Sequence, residues 1–140
     1  MLQSGKLSSA NNNTILLYSQ KNFQTRYPFM RQNDWESEYQ AEIEHAISAR
    51  EKGNEGMARV CARRAAGIIL KAYFETQEIY DYPESSYDRL RLFVSLPTTP
   101  IDARELANLF MLQVNFDHKL PPNVDLIREV QRMKEMILPG

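Results

Sequence analysis

The sequence predicts an all-α protein, an up-and-down antiparallel bundle of four to five helices. Three observations carry this. From residue 35 onward apolar side chains recur at spacings of three and four, the period of a helix with one buried face. The stretches so marked are bracketed by Asn, Asp or Ser at their starts and by Gly or Pro at their ends. No segment alternates apolar and polar residues with the period of two that a half-buried strand requires, and no internal repeat is present.

Residues 1–33 carry Lys6, Lys21, Arg26 and Arg31 and no acid, a charge of +4. They are rich in Ser, Asn and Gln, and their one apolar cluster is Ile15-Leu16-Leu17-Tyr18. This composition reads as a flexible or loosely docked basic arm, so the domain boundary is expected at residues 33/34. Helix one is predicted over 35–52. Asn33 or Asp34 caps it, Glu36 and Glu38 favour its positive end, and Trp35, Tyr39, Ile43, Ala46 and Ile47 form its stripe. Gly53 ends it, and Asn54 caps helix two over 55–77.

Helix two is built of small residues and is apolar on two sides. One stripe is Ala58, Cys61, Ala62, Ala65, Ile68, Ile69 and Ala72; the other is Gly56, Val60, Gly67, Leu70 and Phe74. Two stripes predict a central helix covered by several neighbours, or by its own bundle and a second subunit. Gly67 in a helix interior costs about 1 kcal/mol against Ala, which a close helix contact would offset. Tyr80 to Ser85 is a loop around Pro83. Ser85 or Ser86 caps helix three, 86–96, with Tyr87, Leu90, Phe93 and Val94 on its buried side, and Pro97 stops it. Thr99 as cap and Pro100 as first residue open helix four, which runs to about 116 with Leu106, Leu109 and Phe110 inward. Leu120-Pro121-Pro122 is a rigid connector, and Asn123 caps helix five, 124–138, with the stripe Leu126, Ile127, Val130, Met133 and Ile137.

Size and charge narrow the function classes. A chain of 140 residues with 43% hydrophobic and 25% charged residues is an ordinary globular domain that buries a core without staples. Beyond residue 33 the chain holds 18 acids against 13 bases, a charge of −5, which argues against a protein that coats nucleic acid. No apolar run approaches the roughly 20 residues of a membrane span. The single cysteine, Cys61, reads as a small buried hydrophobe, and a cytoplasmic location is expected. No cofactor and no metal site are expected.

The segment from Trp35 to Ile137 resembles the HEPN superfamily (higher eukaryotes and prokaryotes nucleotide-binding). The likeness rests on a first helix that opens with an aromatic residue and ends in Ala49-Arg50, and on the short Gly/Asn turn after it. It continues through Ala58-Arg59, Ala62-Arg63-Arg64-Ala65-Ala66 and Leu70-Lys71-Ala72-Tyr73-Phe74, two further helices, and a Pro-containing loop before the last. The resemblance implies a bundle of four or five helices and a homodimer. Its members include ribonuclease toxins of toxin–antitoxin systems, companions of minimal nucleotidyltransferases, and inert interaction domains. Ribonuclease members carry an Arg, four to six residues, then a His. Upstream of His118 those positions are Met111, Leu112 and Gln113, and upstream of His45 they are Glu38, Tyr39 and Gln40, so the motif is absent.

Three clusters hold chemistry-bearing residues. Asp117-His118-Lys119 combines an acid, a candidate general base and a cation, and equally suits a helix C-terminus that favours His and Lys. Glu42 and His45 share a helix face with Arg50 nearby, a surface ion pair rather than a metal site. Arg59, Arg63, Arg64 and Lys71 line helix two and could hold the phosphates of a nucleotide or RNA. Pairing of that row with Glu55, Glu75 and the acids of helix one is the expected alternative. The function so predicted is a non-catalytic, homodimeric interaction module with a protein partner, of the nucleotidyltransferase-companion kind. The alternative is a divergent RNase using His118, or a nucleotide- or RNA-binding protein using the helix-two cations.

Overall fold

A computed structural model describes residues 34–112 and 124–139. Among these residues the chain is all-helical and forms a five-helix bundle. The helices are α1 (Asp34–Glu51), α2 (Glu55–Thr76), α3 (Ser86–Ser95), α4 (Ile101–Phe110) and α5 (Leu126–Ile137). The compact helical unit runs from Glu38 onward. The basic arm at 1–33, the connector at 113–123 and the Asp117-His118-Lys119 cluster lie outside the described residues.

α2 is the central element. It packs on α3 and α5, and α4 lies against both α3 and α5. Half of α2 is buried, including Ala58, Ala62, Ala65, Ala66, Ile69, Leu70 and Phe74. Gly67, Leu70 and Phe74 of the second predicted stripe are covered by the chain's own helices, while Gly56 and Val60 remain exposed. α1 meets α5 through Arg50, which binds Asp125, and through Tyr39, whose ring lies 5.8 Å from Lys134 Nζ. The core is made of Phe74, Phe93, Phe110, Leu90 and Val130 with Ile43, Ile69 and Leu126, and Tyr73 meets the Phe93 ring edge-on at 5.4 Å.

Local chemistry places each boundary. Gly53, at φ +79°, ends α1: its N–H donates to Arg50 O and that of Asn54 to Ala49 O, satisfying carbonyls the helix leaves open. The Asn54 side chain accepts from Met57 N at 3.0 Å, and that of Ser85 accepts from Asp88 N at 3.0 Å, so α2 and α3 start at capping residues. α2 ends in the same backbone motif as α1, with Glu78 at φ 60° in the glycine position and Ile79 N donating to Phe74 O.

Several expectations are corrected. Thr99 is not the cap of α4; it is buried, and its hydroxyl donates to Phe93 O at 2.6 Å, closing the end of α3. Pro100 takes the cap position with no side-chain bond, and the described α4 ends at Phe110 rather than near 116. α5 starts at Leu126 rather than 124, because Asp125 accepts from the N–H groups of Ile127 and Arg128. Ile47 and Tyr87, expected inside, are exposed.

Candidate functional site

The helix-two cations were the sharpest candidate in the sequence, and the structure separates them. Helical geometry sets Arg59 and Arg63 on one side of α2 and Arg64 and Lys71 on another. Arg63 is half-buried, and its Nε donates to the Phe110 carbonyl at 2.8 Å. Phe110 ends α4, where carbonyls lack intrahelical partners and the helix dipole is negative, so Arg63 is a cap supplied by a neighbouring helix. Burial, with the Arg59 charge one turn back, pushes the Arg63 guanidinium below its ordinary value. Arg64 and Lys71 are exposed.

Two of the acids expected to pair with this row, Glu55 and Glu75, hydrogen-bond to other residues. Glu55 receives Arg50 Nη2 at 2.7 Å and Nε at 3.1 Å, and the Arg50 bond holds its carboxyl below the usual carboxylate range. Arg59 contributes to that depression through space. Glu75 accepts the Tyr82 hydroxyl at 2.8 Å. Burial and that bond push the Tyr82 phenol up, and the ring stacks on Phe74 at 6.1 Å.

The second cluster also rearranges. Glu42 does not pair with His45, which is exposed; its Oε1 is buried without a hydrogen-bond partner, and its carboxylate lies beside Cys61. Burial first, and Glu42 second, push the Cys61 thiol up, which suits the small buried hydrophobe expected there. Arg50 instead bridges Glu55 and Asp125 at 2.7 and 3.1 Å. Among the described residues no three His, Cys, Asp or Glu side chains converge as a metal site would require.

Two features escaped the sequence reading. Glu129 is buried on α5 with its carboxylate between Arg128 and Arg132, at 2.9 and 2.7 Å. An acid with an arginine directly before it and another three residues on is visible in the sequence, but nothing there says that this acid faces inward. The other is an open groove of about 460 Å³ between α4 and α5, lined by Asp102, Glu105, Leu106, Leu109, Arg132 and Met136. Its lining positions Glu105 and Leu109, with Ile101 one turn before them, follow a four-residue spacing that a solvent-facing stripe shares with a core stripe.

No protein-family model, curated protein or solved structure matches this chain. Among the described residues no helix is long and apolar enough to cross a membrane.

Proposed function

We propose that this chain is a non-catalytic helical interaction module that pairs with a second copy and docks on a protein partner, as HEPN-like companions of nucleotidyltransferases do. The observation that carries this reading is the use of Arg63. Arg63 is half-buried against α4 and donates to the Phe110 carbonyl, so the Ala-Arg helix uses a central cation for architecture. Arg50 acts in the same way between α1, α2 and α5. Exposed aliphatic side chains on several helix faces, Ile47, Met57, Val60 and Ile101 among them, fit a protein that is covered by others.

Incubation of the purified chain with total RNA, beside a His118→Ala variant, tests the reading. The expected result is intact RNA with both proteins. Cleavage by the wild type that is lost in His118→Ala overturns the non-catalytic assignment in favour of a divergent RNase. Binding of RNA at low salt that vanishes in Arg63→Ala/Arg64→Ala would favour the nucleotide-binding alternative instead. Light scattering at micromolar concentration is expected to give twice the chain mass; a monomer removes the pairing.

A further inference from the structure

The groove between α4 and α5 has the composition of a docking site. Its floor is aliphatic: Leu106 is buried, Leu109 is half-buried, and Met136 is 38% exposed. Ile101, beside Asp102 and one turn before Glu105, is 68% exposed, so the apolar surface continues past the groove. Such a volume takes a few side chains rather than a whole helix.

The rim decides what enters. Arg132 is the one cation of the lining, and its Nη1 is held at 2.7 Å by the buried carboxylate of Glu129. Asp102 and Glu105 are exposed and form no ion pair among the described residues. The groove thus presents an aliphatic floor beside two carboxylates, one turn apart on α4, that pair with no cation among the described residues. Covering the floor with a neutral or acidic segment would leave those two charges partly desolvated beside a single cation, Arg132, that Glu129 already engages. Covering it with aliphatic side chains flanked by Lys or Arg complements both the floor and the rim.

We infer that this groove receives a basic amphipathic helix of a partner protein, whose aliphatic side chains enter between α4 and α5 while its Lys or Arg residues meet Asp102 and Glu105. The inference rests on the interaction-module reading and names the surface and chemistry of the partner contact.

The test is a nuclear magnetic resonance titration of the isotopically labelled chain with a synthetic helix of Leu, Ala and Lys, its Leu residues on one face. A second helix carries Glu in place of every Lys. The Lys helix is expected to shift amides of α4 and α5 around Glu105, Leu109 and Met136 and to bind more weakly as salt rises. Asp102→Lys/Glu105→Lys is expected to weaken binding about tenfold or more, because like charges then face each other at the rim. Both substitutions are at exposed positions, and an unchanged circular dichroism spectrum shows that the fold is intact. Shifts centred on another surface, equal binding of the two helices, absence of binding, or undiminished binding by the charge-reversed variant each overturn the groove assignment. None of these outcomes touches the interaction reading itself, which stands or falls on the RNA and light-scattering results.

Discussion

Arginine is the residue through which this bundle joins its elements. Arg50 ties the α1–α2 turn to the cap of α5, and Arg63 closes the end of α4. Arg89 donates to Pro83 O at 2.7 Å and to Gly67 O at 3.1 Å, with its guanidinium over the Tyr82 ring. Arg104 donates to Leu96 O and Thr99 O at the corner between α3 and α4. A planar fork of five donors suits carbonyls left open at helix ends, whereas a lysine would offer one rotating charge. Glu78 is the residue under conformational strain. At φ 60° it occupies the left-handed position that glycine fills without steric conflict, as Gly53 does at the end of α1. Glu78→Gly is therefore expected to raise unfolding stability by about 1 kcal/mol, read as a higher urea midpoint; an unchanged or lower midpoint would contradict the strain.

At the scale of elements, α2 and α3 approach closely at Gly67. A Cβ at Gly67 would fall on Ser86 Oγ and come within 2.9 Å of Ser86 Cβ and 3.1 Å of its Cα. The last two atoms belong to α3 itself, so the helix must move to make room. Gly67→Ala gains up to about 1 kcal/mol of helix propensity but overpacks the contact by roughly 1–3 kcal/mol. The expected outcome is a net loss of stability in thermal unfolding, partly recovered by Ser86→Gly in the same chain. A stabilised Gly67→Ala would mean that the two helices separate without penalty. The small residue Gly67 of α2 is thus a spacing element, and Arg63 on the same helix closes the end of α4.

Across the whole molecule, three elements meet at Arg50: it joins α1 to Glu55 at the start of α2 and to Asp125 at the cap of α5. The folded chain holds the Glu55 carboxyl below its ordinary value, chiefly through the Arg50 bond. A carboxyl depressed on folding stabilises the fold above its unfolded value, about 4.3, and that contribution is lost as pH falls through the lower folded value. Arg50→Met is expected to lower stability by about 1 kcal/mol near neutral pH and to flatten the acid limb of the stability profile. An acid limb identical to that of the wild type would show that the junction contributes nothing there. Tyr39 offers a second pH probe. Burial, with Glu135 nearby, pushes its phenol to about 12, so the late-titrating tyrosine absorbance should fall in Tyr39→Phe to the part that Tyr82 contributes.

Helix class, number and most boundaries were legible in the sequence because they depend on neighbours within one turn. Asn54 and Ser85 cap where they are read to cap, Gly53 ends α1, and the α5 stripe from Leu126 to Ile137 is buried throughout. The fate of the polar groups was not legible. Thr99 beside Pro100 has the local signature of a cap, yet its hydroxyl closes another helix six residues back. Arg63 and Arg64 are adjacent and chemically identical, and the position of α4 makes one a half-buried cap while the other stays in solvent. The groove is likewise a property of two helices far apart in the chain. Among the described residues its acidic rim forms no ion pair, and the arginine in its lining, Arg132, is bound to the buried Glu129 carboxylate. Periodicity and capping act over a few residues, so one strand of sequence carries them; charge pairing and close approach depend on distances that exist only after the helices pack.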